Sequence, residues 1–310
     1  MGDEEESGQL GAPEYLGYQL IVKIKERSKR QISRSKFLKL NCIADRFLHD
    51  ELNTDIGLPR YWYKYGEILD EQSINGEFYH APSARGFYGQ QYLTSREYSP
   101  DEFNITEEES ERIEDAAEWT ALRFAKRNAE QIKSHQYRAH APKEFIRAYS
   151  ELRERLDVSN LQEQTILGYF AEGEDGNKEL VFDLLDEMLL TYPKDEYDSI
   201  YNLYLRWDDT ARMLVEEEGG FDTLNEFLDE FIEALSKTEL RFEHSANVPE
   251  QRLERWREQR EDTLEEFEET LQKHRRELLA GQEPSGELEK VALEYNEAAD
   301  SLMQEMNDGK

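Results

Sequence analysis

The chain has 310 residues, 37% of them apolar, and a formal charge of −32 from 70 Asp and Glu against 38 Lys and Arg. Seventeen Tyr, 14 Phe and 4 Trp exclude a disordered acidic chain, and the length allows two domains with their own cores. The single Cys42 excludes an intramolecular disulfide, and no apolar run approaches the ~18 residues a membrane span needs.

A cysteine kept single fits a reducing cytoplasm, the expected location, and Cys42 itself reads as a small buried hydrophobe. Arg (23) outnumbers Lys (15), and acids are spread over most of the sequence. That pattern fits a halophile's surface, on which carboxylates stay hydrated and salt screens their repulsion. A dedicated acidic surface for one partner is the alternative. In the halophilic reading the melting temperature should climb steadily with potassium chloride. The Debye length falls from ~10 Å at 0.1 M to ~3 Å at 1 M. A flat or falling melting curve would favour the dedicated surface.

Residues 1–13 read as a disordered acidic tail, Gly-rich and the opposite of a signal peptide. Tyr15 to Arg27 places Leu16, Leu20 and Ile24 on one helical face. From Lys23 to Lys39 there are eight Lys or Arg and one acid, Glu26, the one sizeable basic island of the chain. After a polar turn at Ser28 to Ser33, the spacing of Phe37, Leu40, Ala44, Phe47 and Leu48 predicts a central helix over Ser35 to His49. Ser33 stands where its N-cap is wanted. Gly57-Leu58-Pro59 ends this element, and the aromatic run Tyr61, Trp62, Tyr63 and Tyr65 follows, closed by Gly66.

Glu67 to Ser73 reads as a short helix. Glu77 to His80 and Phe87 to Leu93, with a Pro-Ser-Ala-Arg-Gly loop between them, read as a β-hairpin carrying Arg85 at its tip. The ten aromatics between Tyr61 and Tyr98 are expected to pack the hairpin on the helices, with base stacking as the functional alternative. Ser99 to Glu102 and Thr106 to Glu109 carry capping-box spacing. Ile113, Ala116, Ala117, Thr120, Phe124, Asn128 and Ile132 predict one helix to about His135. Pro142 restarts a helix through Phe145 and Tyr149, and the first domain is expected to close near Asp157.

The second half reads as helical throughout. Ser159 to Gln162 resembles a capping box, Gly173 to Gly176 a turn, and Leu180 to Leu190 the innermost helix of this half. Helices follow over Tyr197 to Leu214 and Phe221 to Leu235. A long charged helix starts at Pro249, with Leu253, Trp256, Arg260, Leu264, Phe267, Leu271 and Leu278 on a coiled-coil-like seam that has one polar interruption. Gly281 to Gly286 then turns the chain, and Leu288 to Met306 returns antiparallel. The expected fold is mainly α. An N-terminal helical domain with a small β-hairpin (residues 14–157) precedes a C-terminal helical bundle (158–310) that ends in a long helical hairpin.

Catalytic motifs are scarce. There is no Gly-x-Gly-x-x-Gly, P-loop, Gly-x-Ser-x-Gly or His-Glu-x-x-His. Glu77-x-x-His80 stands alone, whereas a di-metal bundle needs two such pairs and two further Glu. His135 and His140 lack cysteines to complete a zinc site. Asp45 and His49 have intrahelical i, i+4 spacing, and Asp208-Asp209 is uninformative in so acidic a chain. The sequence therefore points away from an enzyme and calls for no cofactor or metal.

Lys36-Phe37-Leu38-Lys39-Leu40-Asn41-Cys42-Ile43-Ala44-Asp45 is similar to the Lys-Leu-x-Lys-Leu-Leu-Tyr-x-Ala helix of the Panacea superfamily of antitoxins, which includes SocA-like and phage-associated proteins. Trp62-Tyr63-Lys64-Tyr65-Gly66-Glu67 resembles that family's aromatic-x-x-Tyr-Gly-Pro element, and His140 to Phe145 is a loose match to its late His before an aromatic. Glu67 replaces the family's Pro, and Asn41-Cys42 replace its Leu-Tyr. The resemblance spans about Tyr15 to Asp157, with Phe37, Leu40, Ala44, Tyr63, Tyr65 and Gly66 as the motif residues. It implies a helical domain with a small β element that binds a partner protein, such as a toxin, without catalytic residues or a cofactor.

Two functions follow. The first is an antitoxin-like protein-interaction module with no membrane partner, able to form homo-oligomers through its C-terminal helices. The second is a DNA-binding regulator in which a helix-turn-helix-like segment sets Arg30, Arg34, Lys36, Lys39 and Arg46 on phosphates, with Arg85 on a wing. The charge of −32 opposes nucleic acid unless that island is spatially focused.

Overall fold

The computed structural model describes residues 10–81, 91–163, 174–217 and 219–281. The chain is mainly helical, with a small antiparallel sheet in its N-terminal part and helices through its C-terminal half. Described residues up to Glu268 form one compact unit, and those from Glu269 on form a second.

The first three long helices are α1 (Ala12–Ser28), α2 (Arg34–Leu52) and α3 (Glu107–Phe124). They bury Leu16, Leu20 and Ile24, then Phe37, Leu40 and Ala44, then Ile113, Ala116 and Ala117 in one apolar cluster. The spacing that predicted the central helix is therefore its core face. Ser33 does occupy the N-cap position of α2, but its hydroxyl makes no capping bond. It belongs instead to β1 (Ile32–Ser33), which pairs antiparallel with β4 (Tyr92–Leu93). Gly17 is needed where α1 passes the aromatic layer, because a Cβ there would come within 2.7 Å of Phe78 and 3.2 Å of Phe37.

The principal hairpin lies earlier in the chain than expected. β2 (Arg60–Tyr63) pairs antiparallel with β3 (Gly66–Leu69) through a two-residue turn, Lys64-Tyr65. Residues 67–69, read as the start of a helix, are strand, because the β-forming Tyr61-Trp62-Tyr63 run offers them a ladder. Gly66 closes the turn at φ +97°, and a Cβ there would lie 2.7 Å from the Gln136 amide oxygen, so both torsion and space call for glycine. Of the hairpin placed at Glu77 to Leu93, His80 bridges Thr94 and Tyr92–Leu93 is strand, while residues 82–90, with Arg85, lie outside the described residues.

The helix expected to run to His135 is two. α3 stops at Phe124, and α4 (Ala129–His140) restarts at Asn128, whose side chain accepts from the Gln131 N–H at 2.8 Å while Gln131 bonds back. A capping box thus interrupts a continuous apolar spacing. α5 (Glu144–Glu163) carries helix through Asp157 and through Ser159 to Gln162, so the expected division falls inside a helix and that capping spacing lies mid-helix. α6 (Glu174–Thr191) buries Val181, Leu185 and Met188 but exposes Leu180, Leu189 and Leu190. It is an amphipathic helix rather than the innermost one.

α7 (Tyr201–Glu216) and α8 (Gly220–Leu235) supply the aromatic centre of this region. Trp207 stacks on Phe231 at 4.8 Å, and Tyr192 stacks on Tyr204 at 4.3 Å. A π-helical turn (Ser236–Leu240) and the short α9 (Arg241–Glu243) lead to β5 (Ser245–Ala246). This strand pairs antiparallel with β2, giving the order β3-β2-β5. A segment from the C-terminal half therefore completes the N-terminal sheet. Lys64 meets Glu233 at 2.6 Å, Arg153 pairs with Asp229, and Tyr61 packs on Trp256 at 4.8 Å across the same seam. The charged helix after Pro249 is broken at Gln259 into α10 (Glu250–Glu258) and α11 (Arg260–Gly281). The expected turn after Gly281 and the return helix lie outside the described residues.

Candidate functional site

The motif residues divide by depth. Phe37, Leu40 and Ala44 are wholly buried core of α2. Tyr63, Tyr65 and Gly66 sit in the β2–β3 hairpin, which α2 and α4 hold from two sides. The Lys39 ammonium donates to the Tyr65 carbonyl. The Tyr137 hydroxyl donates to the Lys64 carbonyl at 2.8 Å, and the Gln136 amide donates to the Glu67 carbonyl at 2.8 Å. The turn is fixed while Tyr65 stays 40% exposed, with Lys64, Lys133 and Arg153 near the face of its ring at 5.1, 5.7 and 5.9 Å.

Below the hairpin lies a buried ionic cluster. Glu67 is 1% exposed, and its carboxylate accepts from Arg46 Nε at 2.7 Å, Arg46 Nη2 at 3.0 Å and Arg60 Nη1. Arg60 Nε donates to Asp45 at 2.7 Å. Burial raises the Asp45 carboxyl above its ordinary range, and Arg60 opposes that rise. Two guanidinium groups and two carboxylates neutralise one another, with the planar Arg forks matching the carboxylate geometry. Asp45 is thus engaged by Arg60, and His49 bonds Asp50 at 3.0 Å instead. The expected Asp45–His49 intrahelical pair does not form.

This cluster floors an open polar cleft of about 580 Å³, with His140 and His244 on its walls. His244 joins the two halves directly. Its carbonyl accepts from the Trp62 N–H at 3.1 Å, and its ring Nε2 lies 2.6 Å from the Tyr197 hydroxyl. Burial and the Lys143 ammonium push the imidazole down to about 4, while Glu196 and Glu67 oppose that shift. His140 is also lowered, by burial and then by Arg46 and His135. Both rings are therefore neutral at neutral pH. His135 and His140 face each other edge to face at 5.7 Å, and no group able to hold a metal ion occurs among the described residues.

His244 gives stability a pH dependence. Its ring titrates near its ordinary 6.5 in the unfolded chain and near 4 in the folded one. The unfolded chain thus binds the proton first, so the stability tied to the neutral ring falls as pH drops from 6.5 to 4 and its loss is complete below 4. Allowing for the ring's partial exposure, about 2–3 kcal/mol should disappear over that window. Urea unfolding at several pH values should give His244→Gln a slope shallower than wild type by up to about 1.4 kcal/mol per pH unit. Parallel curves would show that the ring titrates normally.

The residues assigned to phosphate contact are scattered. Lys36 is buried under α3, its ammonium donating to the Ala125 carbonyl at 2.7 Å and the Arg127 carbonyl at 2.9 Å. Lys39 and Arg46 are engaged by the hairpin, as above. Arg34 pairs with Glu71 at the surface. Arg30 alone of the described set is exposed without an ion pair among the described residues. Cys42 is buried, and burial raises its thiol, as a packed hydrophobe requires. The sequence reading missed Arg60, Glu67 and His244 as partners. Arg60 and Glu67 lie within one hairpin, so a correct strand assignment would have paired them, but nothing local announces β5. No family model, curated protein or solved structure matches the chain. No helix among the described residues is long and apolar enough to cross a membrane.

Proposed function

We propose that this protein is a non-enzymatic interaction module of antitoxin type that acts by binding a partner protein in a halophilic cytoplasm. The observation that supports it most is the fate of the basic island. Lys36, Lys39 and Arg46 are held by the chain's own carbonyls and by Glu67, and Arg34 by Glu71. A DNA-binding surface needs such cations free to neutralise phosphates. What the fold presents instead is a hairpin turn held by α2 and α4, with the exposed Tyr65 at its tip. An anchored aromatic of this kind suits the centre of a protein interface. The resemblance of the α2 and hairpin sequences to Panacea antitoxins supports the same reading. The homo-oligomer through the C-terminal helices belongs to this proposal as well.

Co-expression with the product of a neighbouring small reading frame tests the proposal. Growth arrest by that product should be relieved by the wild-type chain and not by Tyr65→Ala, with both variants melting at the same temperature. Micromolar duplex DNA binding in a mobility-shift assay at moderate salt, with no relief of arrest, would hand the case to the DNA-binding reading.

A further inference from the structure

A second concavity, of about 500 Å³, opens between the end of α1, the start of α2 and the α3–α4 junction. Arg30, Lys36, Lys126 and Arg127 line it, and among the described residues no carboxylate does. In a chain with 70 acids and 38 bases, that composition runs against the average surface. Arg30, Lys126 and Arg127 are exposed and form no ion pair among the described residues. Like charges gathered in one place repel, and abundant carboxylates elsewhere would relieve that repulsion if stability alone set the arrangement. Lys36 is 9% exposed at this site, with two of its three protons on the Ala125 and Arg127 carbonyls and no anionic partner. Burial without a counter-ion lowers its ammonium to about 8. Ile24 and Tyr92 also line the same pocket.

We infer that this pocket binds a compact phosphorylated ligand carrying two or more negative charges. Three exposed cations around one buried ammonium match a multiply charged phosphate group, for which Arg supplies forked donors and Lys a point charge. The volume lies within the usual range for small-molecule sites. A duplex does not fit the same chemistry, because a concave pocket engages one compact anion rather than a run of backbone phosphates.

Isothermal titration calorimetry at fixed ionic strength, with sodium pyrophosphate as the probe, tests the site. Saturable one-to-one binding is expected. The double variant Arg30→Gln with Arg127→Gln should weaken it about tenfold or more, as loss of charge-assisted contacts does. Both side chains are exposed, so the variant should melt with wild type. The control pair Lys25→Gln with Lys29→Gln removes two exposed cations outside this lining and should leave affinity within about twofold. No heat at millimolar pyrophosphate, or equal weakening by both double variants, would overturn the assignment. So would a short DNA duplex that binds more tightly than pyrophosphate and is lost in the Arg30 and Arg127 variant.

Discussion

Glu67→Ala should destabilise the fold by about 3–5 kcal/mol, the usual cost of breaking a buried ion pair by removing one partner. The carboxylate is 1% exposed and is the common acceptor for two guanidinium groups. Without it Arg46 loses the carboxylate that accepts from its Nε and Nη2, and Arg60 keeps only Asp45. Two guanidinium groups, only partly exposed at the floor of the cleft, then lose their shared counter-ion, and the cost is that of partly desolvated unpaired charge more than the loss of hydrogen bonds. Glu67→Gln keeps the shape and one acceptor oxygen but not the charge, so it should fall between wild type and alanine. Urea midpoints for the three chains give the order directly. A triple variant with Glu67, Arg46 and Arg60 all changed to Met should recover part of the loss, since replacing a whole buried cluster costs far less than breaking it. A cost below about 1 kcal/mol for Glu67→Ala would show that water reaches both guanidinium groups.

The same residue marks where the sequence was legible and where it was not. In the sequence Glu67 stood out only as the residue after the aromatic run and Gly66. In the fold it is the centre of an ionic cluster. Glu67-Ile68-Leu69 suits a helix start as well as a strand, and only pairing with Arg60–Tyr63 decides between them. The core faces of α1, α2, α7 and α8 were readable because one periodicity runs unbroken along each. It misled at Asn128, where an apolar spacing continues across a capped helix start. It misled again at α6, where Leu180, Leu189 and Leu190 look like core and face solvent. β5 had no signal in a window of its own length. A two-residue strand is defined by its partner, and its partner β2 lies far back in the chain. The basic island was visible as composition. Its division into buried, internally bonded lysines and an exposed remnant near Arg127 is a tertiary fact, set by which carbonyls and carboxylates the fold brings within reach.

Leu40→Ala should cost about 2–5 kcal/mol, as large-to-small changes in a closed core do. Leu40 is wholly buried on α2, the helix that packs against α1, α3, α4 and the β3 strand. Phe37 and Ala44, on the same face, are also wholly buried. Removing three carbons there leaves a void that cannot close from one side alone, because the backbones around it belong to separate elements that are already packed. The cost thus combines lost transfer energy with a cavity term of roughly 24 cal/mol per Å³ of space left unfilled. Leu122→Ala on α3 makes the same chemical change at a site that is 63% exposed. It should move stability by no more than about 0.5 kcal/mol. Denaturant unfolding of the two variants beside wild type separates burial from composition, since the substitution is identical. Equal midpoints for Leu40→Ala and Leu122→Ala would remove α2 from the centre of the core.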